Sequence, residues 1–157
     1  ENAIFAMDSG RFASAAHRLI AYGGKRQLLG TASGAMGNGV PAAVAAAVLD
    51  PGRQVIAIVG DGGLLMTGNE LATALREDVP IRILVANNAA YGAIAGHQDR
   101  LFPGRRHSME LANPDFQAWA AAFGALGLKV TRAEEAVEMV QRFLNHPGSA
   151  VLEVLCD

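Results

Sequence analysis

The sequence has little of several things, and each shortage excludes a class of protein. A single cysteine among 157 residues excludes a disulfide framework and any metal site built from several cysteines. Charged residues make up 18%, and a formal net charge of −2 leaves no basic footprint for nucleic acid. The most apolar runs, 55–59 and 81–86, are far shorter than the roughly 20 residues that a membrane span requires. We therefore expect a protein that binds neither nucleic acid nor membrane.

What the sequence does contain is a large share of apolar residues. Hydrophobic residues reach 51%, which excludes disorder, and the 18 glycines have no three-residue period, which excludes collagen. The length predicts one domain over residues 1–157. No basic segment precedes an apolar core, so we expect a cytoplasmic location. The mean hydropathy of +0.22 is high and indicates surfaces that contact a partner.

Short apolar runs alternate with helical patterns along the chain. The expected strands are Ala3–Met7, Val55–Val59, Ile81–Ala86 and Val151–Leu155, with a fifth near Gln27–Gly30. The expected helices are Pro41–Leu49, Leu71–Arg76 behind a capping box of Thr67 and Glu70, a helix from Asn113-Pro114 to Gly124, and Glu134–Leu144. This order predicts an α/β fold with a doubly wound, mainly parallel sheet and helices on both faces. Ligands of such sheets bind beyond the carboxyl ends of the strands.

Two polar motifs follow neighbouring predicted strands at that edge. Gly60-Asp61-Gly62-Gly63 comes directly after one strand, and Asn87-Asn88 ends the next. Glycines let a phosphate approach backbone N–H groups, and carboxylate and amide oxygens are ligands that Mg²⁺ prefers. The two motifs together predict a site for magnesium and a phosphate group.

The spacing and surroundings of these motifs carry a resemblance to a known family. Asn88 lies 27 positions after Asp61, and GTASGAMGNGVPAAVAAAV, VIAIVGDGGLLMTGNELATAL, IRILVANNAAYGAI and NPDFQAWAAAFG surround them. Over essentially the whole chain the sequence resembles the carboxy-terminal, diphosphate-binding domain of thiamine diphosphate-dependent enzymes of the acetolactate synthase and benzoylformate decarboxylase group. The resemblance implies thiamine diphosphate and Mg²⁺ as cofactors and a 2-oxo acid as substrate of a decarboxylase or carboligase.

The resemblance also implies roles for residues at matching positions. Side-chain oxygens of Asp61 and Asn88 and the backbone carbonyl of Ala90 would bind Mg²⁺. Met36 would hold the cofactor in its bent conformation, and the carbonyl of Gly34 would accept a hydrogen bond from its 4′-amino group; these two are the predicted catalytic positions. The remaining cofactor contacts implied are Gly10, Gly60, Gly62, Gly63 and Tyr91, with the amides of Gly62 and Gly63 facing the diphosphate.

One part of the family's catalytic machinery has no match in the sequence. The general acid–base of the family is a Glu of a pyrimidine-binding domain, and no residue here corresponds to it. We therefore expect activity to require a pyrimidine-binding domain or subunit, within a homo- or hetero-oligomer. Arg11 and Phe12 stand where acetolactate synthases have Gln and His, and Ile94 stands where pyruvate decarboxylases have a catalytic Glu.

The sequence is also compatible with two alternative functions. Gly37-Asn38-Gly39-Val40-Pro41-Ala42 matches the dinucleotide-binding pattern G-x-G-x-x-A, although no strand directly precedes it. A ThDP-binding regulatory domain without catalysis is the other alternative. The polar segment Ala95–Leu111 is expected to be a loop, Cys156 a packing residue and Trp119 part of the core.

Overall fold

Six parallel strands form one sheet in the computed structural model, which describes residues 2–156. The strands are β1 (Ile4–Met7), β2 (Gln27–Gly30), β3 (Val55–Gly60), β4 (Ile81–Asn87), β5 (Leu126–Val130) and β6 (Ala150–Leu155). Their order is β2-β1-β3-β4-β6-β5, and every neighbouring pair is parallel. The five predicted strands are present and the predicted fold class is confirmed.

The strand that the sequence did not reveal is β5. It contains Gly127 and Lys129 and therefore has no continuous apolar run. By contrast, Val55–Val59 of β3 are all buried, because helices cover both faces of the sheet at its centre.

The described residues form seven α-helices, six of which pack on the two faces of the sheet. They are α1 (Arg11–Leu19), α2 (Gly39–Leu49), α3 (Asp61–Thr67), α4 (Leu71–Arg76), α5 (Gly92–Leu101), α6 (Phe116–Ala122) and α7 (Ala136–Asn145). Helices α1 and α7 pack on one face, and α2, α3, α4 and α6 pack on the other. In the part of the chain described, no helix combines the length and apolar character needed to cross a membrane.

One predicted helix cap and one predicted helix start are wrong, although α4 itself has the predicted bounds. Thr67 does not cap α4, because its Oγ1 donates to the carbonyl of Gly37 at 2.7 Å, and Glu70 instead accepts from Thr73. Helix α6 begins at Phe116 rather than at Asn113-Pro114. Its cap is Asp115, whose Oδ1 accepts from two backbone N–H groups at 2.9 and 3.1 Å.

The polar segment Ala95–Leu111 is also only partly a loop. Helix α5 continues to Leu101 before the irregular chain begins. Cys156 is exposed rather than packed, whereas Trp119 packs against the core as predicted.

Helix α6 lies unusually close to β5 at a glycine. A Cβ at Gly127 would lie 2.6 Å from the carbonyl oxygen of Gln117 and 2.7 Å from its Cα. Both atoms belong to helix backbone, which cannot move aside as a flexible side chain would. Only glycine therefore permits this packing of helix on strand.

We predict that Gly127→Ala destabilises the fold by about 1–3 kcal/mol, because the added methyl overpacks a contact with backbone. Urea unfolding of both proteins measures the change. Gly30→Ala is the matched control, since no heavy atom lies within 4 Å of a Cβ at that strand position. Equal stability of the Gly127→Ala variant and the parent would contradict the close contact.

Candidate cofactor site

A cavity of about 920 Å³ opens at the carboxyl ends of the strands. Its volume falls in the range of small-molecule sites. Nine of the ten predicted cofactor residues line it: Gly10, Gly34, Met36, Gly60, Asp61, Gly62, Asn88, Ala90 and Tyr91. The tenth, Gly63, does not line the cavity, and a Cβ there would collide with the carboxylate of Asp8.

The sheet topology explains why the cavity lies there. Strands β1 and β3 are neighbours, yet β1 continues into α1 on one face and β3 continues into α3 on the other. Chain segments that leave adjacent strands toward opposite faces open a crevice between them. The residues after Met7 and Val59 therefore meet across this crevice.

Asp61 is the buried carboxylate of the site, with 2% of its surface exposed. It is the first residue of α3, where the positive end of the helix dipole favours a negative charge. Its Oδ1 accepts from the N–H of Gly62 at 2.9 Å, and its Oδ2 accepts from Nδ2 of Asn113 at 2.8 Å. Each carboxylate oxygen keeps a further lone pair.

The two asparagines after β4 have different roles. Asn88 is exposed and lines the cavity. Asn87 is buried and does not line the cavity, which corrects the prediction that both asparagines present oxygens there. Its Oδ1 accepts from the N–H of Ala89 at 2.9 Å and its Nδ2 donates to Glu153 at 2.6 Å.

The turn that follows these asparagines is held in an unusual conformation. Ala89 has φ +52°, in the left-handed region that non-glycine residues rarely adopt. The N–H of Tyr91 donates to the carbonyl of Met109 at 2.8 Å, and the carbonyl of Ala90 accepts from Gly92 at 2.9 Å. The Ala90 oxygen keeps a second lone pair for a ligand.

Two side chains converge over Gly62 inside the cavity. A Cβ there would lie 2.5 Å from Cε1 of Tyr91 and 3.3 Å from Cε of Met36. Glycine therefore lets the ring and the thioether approach the start of α3. Gly34, two residues before Met36, adopts φ +70° and also lines the cavity.

Asp8, a residue that the sequence analysis did not single out, holds the Met36 loop in place. It is 2% exposed, and its Oδ1 accepts from the N–H groups of Gly37 and Asn38 at 2.9 and 3.3 Å. Thr67 donates to the carbonyl of Gly37 from the other side. The signal in the sequence was an acid directly after the first apolar strand, the same pattern that identified Asp61.

The residues that depart from the family pattern lie at the cavity. The ring of Phe12 packs against Gly10 and Gly60, whereas Arg11 is exposed at the cavity wall. Arg11 also lines a second cavity of about 250 Å³ with residues of α5, among them His97 and Arg100.

Six polar side chains of the segment Ala95–Leu111 do not line the large cavity: His97, Gln98, Arg100, Arg105, Arg106 and His107. Several bond within the segment instead. Arg106 pairs with Asp99, and this hydrogen bond holds the pKa of the Asp99 carboxyl below its usual value.

The oxygen donors at the cavity suit a hard cation. Within the described residues, no group of three or more His, Cys, Asp and Glu side chains is arranged to hold a metal. Three residues that line the cavity instead carry oxygen groups: the carboxylate of Asp61, the side-chain amide of Asn88 and the backbone carbonyl of Ala90. Mg²⁺ takes one or two protein carboxylates and completes its octahedron with phosphate oxygens and water. The residues present therefore fit a magnesium-bound diphosphate.

Comparison with known families defines the class of protein. Residues 8–154 match the family model described as "Thiamine pyrophosphate enzyme, C-terminal TPP binding domain". The chain belongs to this family, which confirms the resemblance predicted from the Asp61 and Asn88 motifs and implies thiamine diphosphate as its cofactor.

Similar curated proteins are acetolactate synthases. The chain is 37% identical over 98% of its length to the probable chloroplastic acetolactate synthase 2 of Oryza sativa subsp. japonica. It is 38% identical over 78% of its length to the mitochondrial acetolactate synthase of Schizosaccharomyces pombe. It spans 25% and 18% of the lengths of these two relatives. The chain is thus a TPP-binding C-terminal domain of the acetolactate synthase-like kind.

The alternative of a dinucleotide-binding module is not supported. Residues 31–38 separate the end of β2 from the start of α2, so the glycine pattern does not follow a strand directly. Gly39 of that pattern packs against Val59 and Asp8 instead of lining the cavity.

We predict that Asp8→Ala lowers the free energy of unfolding by about 1–3 kcal/mol for each N–H group left without an acceptor. The three N–H groups are those of Ser9, Gly37 and Asn38, and urea unfolding measures the loss. Ser9→Ala is the control, because the side chain of Ser9 does not bond to this loop. Unchanged stability of Asp8→Ala would show that the carboxylate does not hold the loop.

Proposed function

We propose that this domain is the magnesium- and diphosphate-binding half of a thiamine diphosphate-dependent 2-oxo acid decarboxylase or carboligase. The observation that carries the proposal is the convergence of Asp61, Asn88, Ala90, Met36 and Gly34 on one cavity, in a chain of this family. The similarity to acetolactate synthases favours carboligation of that type. When bound, thiamine diphosphate supplies an electron sink for loss of CO₂ from a 2-oxo acid.

The diphosphate end of the cofactor would be held at the start of α3. Asp61, Asn88 and the carbonyl of Ala90 would hold Mg²⁺ between the protein and the phosphate oxygens. The amide of Gly62 remains a predicted contact of the diphosphate, and the space beside its Cα is occupied by the ring of Tyr91 and the thioether of Met36. The amide of Gly63 remains a predicted contact, although the Cβ position of this residue faces Asp8.

The reactive end of the cofactor would lie against the Met36 loop. The thioether of Met36 would hold the two rings in a bent arrangement, and the carbonyl of Gly34 would accept from the aminopyrimidine. Such positioning brings reacting groups together before chemistry begins. Asp8 and Thr67 hold Gly37, the next residue, from both sides and so limit movement of Met36.

The proposed activity needs a partner. A pyrimidine-binding domain or subunit would supply the catalytic Glu, and general acid–base assistance of this kind is worth about 10²–10⁴-fold. The relatives are about four times as long as this chain, which supports further domains in the complete enzyme. An oligomer and a cytoplasmic location stay predictions from the sequence.

We predict that Asp61→Asn and Asn88→Ala each weaken Mg²⁺-dependent binding of thiamine diphosphate by more than about tenfold. Each variant removes a charge or a ligand oxygen opposite an anionic diphosphate, and loss of even an outer-shell partner costs about 10–100-fold. Calorimetry with and without Mg²⁺, with a pyrimidine-domain partner present, measures the affinities.

Asp78→Asn is the charge-matched control for the Asp61 variant, because Asp78 is exposed and lies outside the cavity. Its affinity is expected to equal that of the parent protein. Unchanged affinity in both Asp61→Asn and Asn88→Ala would overturn the assignment of the metal site.

We predict that Met36→Ala impairs catalysis more than it weakens cofactor affinity. Loss of the thioether lets the rings leave the bent arrangement, and misplacement by about 1 Å costs up to about 100-fold in rate. Hydrogen–deuterium exchange at C2 of bound thiamine diphosphate reports the effect. Met66→Ala, at an exposed methionine outside the cavity, is the control. Exchange as fast as in the parent would show that Met36 only fills space.

A further inference from the structure

We propose that Asn113 is a positioning residue that orients the carboxylate of Asp61 for the metal ion. This inference rests on the proposed function of Asp61. Asn113 lies in the irregular segment before α6, 52 positions from Asp61 in sequence, and its Nδ2 lies 2.8 Å from Asp61 Oδ2. It does not line the cavity. It would therefore act through Asp61.

One amide group of Asn113 links two elements of the site. The same Nδ2 donates to Asp61 Oδ2 and to Asn87 Oδ1, each at 2.8 Å. An amide nitrogen has two N–H groups, so both are used. The carboxylate at the end of β3 and the amide at the end of β4 are thus connected by one planar group.

The orientation of both amides follows from their partners. Asn87 Oδ1 accepts from the backbone N–H of Ala89, which can only donate, so this atom must be the oxygen. Asn113 must then present its nitrogen to Asn87 and to the Asp61 carboxylate. Its own Oδ1 is left buried without a hydrogen-bond partner. A buried acceptor without a hydrogen bond lowers the stability of the fold. Unsatisfied polar groups of this kind call for an explanation, and a functional role is one of them.

The network continues across the sheet behind the site. Asn87 Nδ2 donates to Oε1 of Glu153, which is 1% exposed in the middle of β6. Lys129 of β5 places its Nζ 3.1 Å from Oε2 of Glu153. Asn87 and Lys129 thus each contact one oxygen of the same buried carboxylate. Glu153 therefore fixes Asn87, and Asn87 helps to fix the amide that contacts Asp61.

The helix that follows does not explain the contact. Asp115, not Asn113, caps α6 by accepting from two backbone N–H groups. The two side chains, two positions apart, thus have separate partners. This gives a test in which helix capping and orientation of Asp61 can be disturbed one at a time.

The test measures the affinity of the complete protein for Mg²⁺ by calorimetry at saturating thiamine diphosphate, alongside metal-free cofactor binding. We expect Asn113→Ala to raise the apparent Kd for Mg²⁺ by about 10–100-fold, the usual effect of losing a partner that orients a metal ligand. Metal-free binding is expected to stay unchanged. Asn113→Leu, of similar volume, is the second variant and should behave alike, since it also lacks the N–H donors.

Asp115→Ala is the matched control. It should lower the thermal unfolding midpoint and leave the Kd for Mg²⁺ within about twofold, because it removes a helix cap and no contact to Asp61. If the Asn113 variants lose no more affinity than Asp115→Ala, Asn113 has only a structural role and the inference is wrong. If Asp61→Asn binds Mg²⁺ as the parent does, the proposed function fails as well. Normal affinity of the Asn113 variants beside a defective Asp61→Asn variant would overturn this inference alone.

Discussion

The buried carboxylate of Asp8 is the constraint on which the geometry of the site depends. Among residues 2–156 no basic side chain pairs with it, and the backbone N–H groups of residues 9, 37 and 38 donate to it. Because it follows β1, it ties the Met36 loop to the rigid edge of the sheet. Hydrogen bonds to a charged acceptor are stronger than neutral ones. A loop rich in glycine and serine, which would otherwise be mobile, is thereby given one position relative to Asp61.

The glycines of the site permit close approach as well as flexibility. Gly39 lets α2 pack against Val59 and Asp8, and Gly62 lets Tyr91 and Met36 approach the start of α3. A methyl group at either position would collide with these neighbours. The cavity is thus shaped by side chains from several loops that converge on positions where no side chain projects.

The central part of the fold and site could be predicted because its signals are local. The buried strand β3 is a continuous apolar run and β4 is apolar apart from Arg82 and its last residue, Asn87; Asp61 and Asn88 directly follow these strands. Residues whose role depends on distant partners gave no such signal. The sequence Asn113-Pro114 predicts a helix start, yet the side chain of Asn113 donates hydrogen bonds to Asp61 and Asn87. Strand β5 contains a glycine and a lysine because α6 packs closely on it and Glu153 lies opposite.

The cavity is lined by segments far apart in the chain, from Ser9 to Cys156. Its strand residues belong to β3, β4 and β6, so the binding surface exists only when these parallel strands have assembled. Such non-local pairing is slow to form, because the entropy of closing long loops precedes the contacts that compensate for it. A ligand that binds only this assembled state stabilises the entire domain by mass action. Cofactor supply and the lifetime of the folded chain in the cell are therefore coupled through the same surface.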